Sequence, residues 1–291
     1  MPRIQTIVVN HNTSLFTELA LRSLIATHSA DLDLAITVMD NASNDDTADL
    51  RAFTVASGIP FVQSGFSPHT AVNTHGEVLR AFVLTHPDCD YYLLLDADIC
   101  FLQPNTLHTM LAELQSDDSV FAVQARMSWD GVNEMPGRGW HIEAGKPMYM
   151  SAHIAGQPIS GDELAHSATA YTGQLLPRCH PGCALVKNTP TFRRVAEHIG
   201  FSPAWLQGET QPASGFYDTF ALCSAVMKTH EQRYILSSAM VLHFFCVSYD
   251  PQGMDWKRRV QQSSPLKVLM KRSQRPFWRG RVGVMYSWAS P

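Results

Sequence analysis

Residues 91–98 read Tyr-Tyr-Leu-Leu-Leu-Asp-Ala-Asp. Five apolar or aromatic residues in a row, stopped by an acid, describe a strand buried on both faces that ends in a polar turn. Towards the N-terminus the same unit recurs. IQTIVVN (4–10) is an apolar run closed by Asn10-His11-Asn12, and LAITVMD (34–40) is one closed by Asp40-Asn41-Ala42-Ser43. Helical patterns lie between the runs. One starts at Ser14 as cap, with Leu15, Leu19, Leu21, Leu24 and Ile25 apolar; a second covers roughly 46–57 and a third 70–85, with Pro60-Phe61-Val62 as a short strand between these two. After the quoted stretch come a helix from Pro104 to about 115 and the strand VFAVQA (120–125). Apolar strands alternating with helices predict right-handed crossovers and an α/β fold with a mainly parallel sheet. In such sheets ligands bind beyond the carboxyl ends of the strands. The polar strand ends are therefore where chemistry is expected.

From about 127 to 178 the periodicity dissolves into a stretch rich in Gly, Pro, His and Met. An irregular segment of this length in a compact domain has a function more often than not, and its glycines suit a lid over the strand ends. Trp129, Trp140 and Tyr149 are suited to stacking on a sugar or an aromatic acceptor. Order returns with the strand CALVKN (183–188), a helix opened by Thr189-Pro190 and running to about 199, a helix over 215–229 and the strand SAMVLHFFCV (238–247).

The chain has 291 residues, 45% of them hydrophobic and 16% charged, which suffices for a sizeable core and excludes a disordered or disulfide-stapled protein. The net charge of −4 hides an asymmetry. Residues 255–291 carry nine Lys/Arg and one acid, and the remaining 13 basic and 25 acidic residues leave 1–254 at −12. That balance gives no case for nucleic-acid binding. The tail interleaves its cations with Trp256, Phe277, Trp278, Tyr286 and Trp288. It reads as a solvated or packed tail, or as a peripheral contact with an anionic membrane. No secretory segment or membrane-spanning stretch is evident, so a cytoplasmic protein is expected. The six cysteines lack paired short spacings. Cys179-His180-Pro181-Gly182-Cys183 sets two thiols four apart, but nothing nearby completes a tetrahedral metal set, and reduced thiols are expected. There is no GxGxxG after the first strand and no P-loop, so the usual dinucleotide and nucleotide-triphosphate fingerprints are missing.

Asp96-Ala97-Asp98 carries the strongest chemical signal. Two carboxylates two apart at a strand end are the hard oxygen ligands that Mg²⁺ or Mn²⁺ shares with a substrate diphosphate. His243, inside the apolar VLHFF, reads as a core histidine or as the further ligand that two acids require. Asp40, with Asn41 and Ser43, is a turn or cap, or a carboxylate that accepts from a base N–H or a ribose hydroxyl. Asp218, in GFYDT, is a helix cap or a general base at a crevice.

The order TIVVNHN, VMDNASNDDT and HGEVLRAF leading into YYLLLDADI resembles the nucleotide-sugar half of GT-A glycosyltransferases, of the inverting family-two type. HPGCALVKNTPTFRRV, GFYDTFALCSAVMK and VLHFF resemble that family's later segments. The resemblance covers 1–126 well and 180–245 loosely. It implies a GT-A (Rossmann-like) sheet, a nucleotide-diphosphate sugar donor with UDP favoured, and a divalent cation, Mn²⁺ or Mg²⁺. It further implies that Asp40 and Asn41 hold the nucleobase or ribose, with Asn10 and Asn12 lining the same pocket. His75-Gly76 falls where the third helix start packs near the nucleotide. Asp96 would contact ribose or metal-bound water, Asp98 and His243 would hold the metal, and Asp218 would be the base. Two departures stand out: Tyr217 precedes Asp218 where the family commonly has Glu, and 127–178 matches nothing. The expectation is a sugar transferred with inversion to a hydroxyl of a small-molecule, glycan or lipid-linked acceptor. Residues 1–126 would form the donor half, 127–254 the acceptor half and 255–291 the basic tail. The rivals are a nucleotidyltransferase and a non-catalytic nucleotide-sugar-binding module.

Overall fold

The computed structural model describes residues 1–28, 31–66, 74–128, 178–202 and 219–244, and the backbone of five short strands lying between them in sequence. The first half alternates as the apolar runs require: β1 (Arg3–Asn10), α1 (Ser14–Thr27), β2 (Asp33–Asp40), α2 (Ala48–Ala56), β3 (Phe61–Gln63), α3 (Thr74–Thr85) and β4 (Tyr91–Asp96). Then follow β5 (Ile99–Phe101), α4 (Thr106–Gln115) and β6 (Val120–Ser128). The short strands are β7 (Trp140–His141), β8 (Met148–Met150), β9 (Gln174–Leu175), β11 (Ala204–Leu206) and β12 (Phe216–Tyr217). β10 (Cys183–Lys187), α5 (Pro190–His198), α6 (Ala221–Thr229) and β13 (Arg233–His243) complete the chain's described elements.

Eight strands form one sheet in the order β3-β2-β1-β4-β10-β6-β13-β5. The pairs β3–β2, β2–β1, β1–β4 and β6–β13 are parallel. β10 runs antiparallel to both β4 and β6, and β5 antiparallel to β13. The sheet is thus mainly parallel with one reversed central strand. That reversal matters: the start of β10, not its end, lies beside the end of β4, with Cys183 opposite Leu95.

Alternate side chains of the buried strands feed two cores. Ile7, Val9, Tyr92 and Leu94 pack towards α3, α5 and α6, while Ile4, Val8, Leu93 and Leu95 pack towards α1, α2 and α4. This two-sided burial is why these strands are continuously apolar rather than alternating. Leu93, Leu94 and Leu95 are fully buried, each contributing about 2 kcal/mol.

Several boundaries differ from the sequence expectation. α1 begins at Ser14 with Thr13 as its N-cap, and neither supplies a side-chain cap. Its first amide, on Ser14, instead donates to Asp45 Oδ2 at 3.0 Å, a cap delivered from the loop after β2. The third helix is described from Thr74; residues 70–73 lie outside the described residues. The helix expected from Pro104 starts at Thr106, after Asn105 in a left-handed conformation. The helix expected over 215–229 starts only at Ala221, because Phe216–Tyr217 pairs as β12 with β11. The last strand starts five residues early, at Arg233. Thr189-Pro190 opens α5 as read, with Thr189 Oγ1 accepting the Phe192 amide at 3.1 Å. In 127–178, β8 pairs with β11 and β7 with β9; the rest of that stretch from 129 to 177 lies outside the described residues. Gly76 has a packing role. A Cβ there would stand 2.6 Å from the Phe201 carbonyl oxygen, so only glycine lets α3 seat against that turn. Next to it, the Ser202 hydroxyl donates to buried Glu77 at 2.6 Å.

Candidate metal centre and donor site

The parallel ladder sets three polar strand ends at one level. Asn10 stands opposite Asp40, and Val9 opposite Asp96. The chain then turns at Ala97-Asp98 into β5, whose three residues pair with the end of β13, so that His243 lies opposite Ile99. The Phe244 amide donates to the Asp98 carbonyl at 3.0 Å and locks this corner. In consequence His243 Nε2 lies 3.1 Å from Asp98 Oδ1, although the two residues are far apart in sequence.

Asp96, Asp98 and His243 form the one cluster among the described residues whose ligand atoms all lie within 4.8 Å of one another. For a cation bound at about 2.1 Å, adjacent ligands stand about 3 Å apart and opposite ones about 4.2 Å. The His243–Asp98 spacing already matches an adjacent pair, and a small closing movement would bring in Asp96. Two carboxylates and one imidazole are a donor set that suits Mn²⁺ or Mg²⁺. Asp98 and His243 are buried, while Asp96 is partly exposed, so the cluster opens on the Asp96 side.

The electrostatics of the cluster follow from crowding. Burial pushes the Asp96 carboxyl up; His75 opposes this, and the neighbouring Asp98 charge adds to the rise. For His243, burial disfavours the charged ring, but Asp98, through its charge and its hydrogen bond, and the Asp96 charge outweigh it and hold the imidazole above its ordinary value. Both shifts express one condition: two carboxylates in a confined site attract a proton or a cation.

Two further histidines join the site. His75, on the first turn of α3, places Nε2 3.5 Å from Asp96 Oδ1. His180 places Nδ1 3.9 Å from Asp96 Oδ2, and its ring meets the His243 ring edge-on at 6.0 Å. Burial, followed by the charges of Arg178, His243 and His75, holds His180 well below the ordinary imidazole range, so it is neutral. Cys179 and Cys183 are buried free thiols, as the lack of a completing metal set led us to expect, and the histidine between them stands beside the Asp96 carboxylate instead. The sequence reading did not assign His180 to this site; the signal that could have found it is His180-Pro181-Gly182, a turn directly preceding an apolar strand. Its position depends on the reversed direction of β10.

The expected nucleotide pocket is a dense polar network. Asn10 is fully buried; its Nδ2 donates to Asp40 Oδ1 at 2.8 Å and Ser43 Oγ at 2.9 Å, and its Oδ1 accepts from Thr13 and Thr17. Gln63, opposite Asp40 in the ladder, donates to Asp40 Oδ2 at 3.0 Å. Asn41 donates to Thr74 at 2.6 Å and accepts from Ser64 at 2.9 Å. Asn12, in a left-handed conformation, accepts the amides of Asn44 and Asp45. Asn10 and Asn12 therefore brace the strand ends from within, and Asp40 lies at the centre of the bracing. Ala97, between the two acids, is buried against the core. Asp218 and the tail 255–291 lie outside the described residues. Thr219, which follows Asp218, accepts a hydrogen bond from Arg178 through its carbonyl. Among the described residues no helix is long and apolar enough to cross a membrane.

No protein-family model matches the chain, and no curated protein matches it. Solved structures do. A mannosyltransferase from Pyrobaculum calidifontis, PcManGT, in complex with GDP-Man and Mn²⁺, is 15% identical, with a TM-score of 0.50 over 99% of this chain and 73% of that one. A glucosyl-3-phosphoglycerate synthase from Mycobacterium tuberculosis, in complex with phosphoglyceric acid, is also 15% identical, with a TM-score of 0.45 over 83% of this chain and 72% of that one. The first likeness shows that this chain has the GT-A fold.

Proposed function

We propose that this chain is a metal-dependent glycosyltransferase that moves a sugar from a nucleotide-diphosphate donor to an acceptor hydroxyl. The carrying observation is the Asp96–Asp98–His243 cluster at the carboxyl ends of the strands of a GT-A sheet. That is where such a sheet binds its ligand. In this reading Asp98 and His243 hold the cation and Asp96 shares it or its water. A divalent cation bound there supplies positive charge to the departing diphosphate. Asp40, Asn41 and the α3 start with His75 and Gly76 form the nucleoside end, braced by Asn10 and Asn12. Residues 1–126 serve the donor, 127–254 the acceptor, and 255–291 a peripheral membrane contact that suits a lipid-linked acceptor.

The resemblance to the inverting family-two type supports direct displacement at the sugar carbon, with Asp218 taking the acceptor proton as the bond to the diphosphate breaks. The same resemblance favours UDP over other nucleotides. Incubation with a panel of UDP- and GDP-sugars and Mn²⁺, with released nucleotide and pyrophosphate measured separately, tests the reading. Release of nucleoside diphosphate that stops on chelation is expected. Release of pyrophosphate would mark a nucleotidyltransferase, and binding without release of either a non-catalytic module.

A further inference from the structure

His180 stands at the rim of the acidic cluster in a defined tautomer. The Gly182 amide donates to its Nδ1 at 2.9 Å. An amide N–H needs a lone pair, so Nδ1 carries no proton and the ring proton sits on Nε2. The two nitrogens of an imidazole point well apart, so the Nε2 N–H is directed away from the Gly182 amide. The ring's mounting is rigid. The His180 amide donates to Gln124 Oε1 at 2.7 Å, Pro181 fixes the next φ, and the Gly182 carbonyl accepts the Asp96 amide at 2.8 Å. The His180 side chain keeps 30% of its surface exposed, whereas those of Asp98 and His243 keep about 10%. The cluster therefore opens past His180.

We propose that His180 binds the diphosphate of the nucleotide: its Nε2 N–H donates to a phosphate oxygen of the molecule that Asp96, Asp98 and His243 hold through their cation. The proposal rests on the donor-site reading above. A cation with three protein ligands fills its remaining positions with phosphate oxygens and water. The side of the cluster left open to such oxygens is the one beside Asp96, where His180 is mounted. His75 is the other ring next to Asp96, but its Nε2 is aimed at the carboxylate itself, 3.5 Å away. His180 instead engages its Nδ1 lone pair with the Gly182 amide and keeps its Nε2 proton for another acceptor. A neutral donor also suits the place, because it adds a hydrogen bond to an anion without adding a charge that repels the cation.

The test is titration calorimetry of the full chain with UDP, GDP, UMP and GMP in the presence of Mn²⁺. His180→Ala removes the ring. His180→Asn keeps an acceptor for the Gly182 amide but cannot reach with a donor. His180→Gln can place an N–H near the Nε2 position. The Ala and Asn variants should bind the preferred diphosphate roughly 10-fold or more weakly, the range for a hydrogen bond to a charged group. The Gln variant should recover most of that loss. Binding of Mn²⁺ alone, followed by electron paramagnetic resonance, should be unchanged in all three. Wild-type diphosphate affinity in His180→Asn overturns the proposal, as does a parallel loss of Mn²⁺ affinity, which would make His180 a support of the metal ligands. If the wild type binds neither diphosphate, the donor-site reading itself falls. If the wild type binds and the variants bind equally, only the assignment of His180 falls.

Discussion

Gly182 lies directly against Asp96. Its carbonyl accepts the Asp96 amide at 2.8 Å, and a methyl group on its Cα would stand 2.9 Å from Asp96 Oδ2. The same methyl would stand 2.7 Å from Met127 Cε and 2.8 Å from His180 Nδ1. Gly182→Ala should therefore displace the Asp96 carboxylate or the His180 ring. Overpacking of this kind costs about 1–3 kcal/mol. We expect a lower melting temperature together with weaker Mn²⁺ binding. A variant that loses stability but binds Mn²⁺ as the wild type does would show that the carboxylate can step aside.

Asp98 is the partner of His243 and shares a confined site with Asp96. Asp98→Asn removes a metal ligand and the charge that pairs with His243 Nε2 at 3.1 Å, while it relieves the repulsion with the partly exposed Asp96. Without metal the two changes oppose one another, so the metal response is the quantity to read. The rise in melting temperature on adding Mn²⁺, expected for the wild type, should be absent from the variant. An equal Mn²⁺ response in both proteins would refute the metal centre.

Asp40 accepts from two amide side chains, Asn10 and Gln63, and is buried. In Asp40→Asn the new amide can keep the Asn10 bond and turn its N–H₂ towards Gln63, which is exposed and free to hydrogen-bond water. The cost is therefore that of one hydrogen bond, about 1 kcal/mol, to be read from chemical denaturation. If Asp40 also receives the nucleobase, nucleoside-diphosphate affinity falls as well, even well below the melting temperature. Destabilisation with intact affinity would confine Asp40 to bracing.

Ala42 follows Asp40-Asn41 with a φ of 54°, in the left-handed region, and it is exposed. An L-residue with a Cβ pays about 1 kcal/mol for that conformation. Ala42→Gly should release this strain, partly offset by the greater freedom of glycine in the unfolded chain. The expected net effect is a small rise in melting temperature, about 1–2 °C. A fall would mean that unfolded-state entropy outweighs the relief.

Asp218→Asn keeps the size of the side chain but removes its basicity. Loss of a general base lowers the rate by roughly 10²–10⁴-fold. Transfer should fall by that factor, with nucleotide affinity nearly unchanged. Transfer at the wild-type rate would leave Asp218 no part in proton removal.

The sequence by itself determined most of the alternation of strands and helices up to residue 126 and the level at which the polar strand ends gather. These properties are local. Continuous apolar runs such as Leu93-Leu94-Leu95 record burial on both faces, and the polar residue that stops each run marks a strand's carboxyl end. Asp96 and Asp98 were legible for the same reason, and His243 because a polar ring in VLHFF asks for an explanation. Tertiary structure alone decided the rest. The direction of β10 brings His180 and Gly182 against Asp96 instead of to the opposite edge of the sheet, and nothing in CALVK encodes that direction. β5 is three residues long and is held as a strand by pairing with the end of β13, so Ile99-Cys100-Phe101 carries no strand signal of its own. The cap on α1 comes from Asp45, and the Asn10–Asp40–Gln63 bracing joins three strand ends. Such contacts depend on which strands become neighbours, a choice made by long-range packing and loop closure rather than by the periodicity of any one segment.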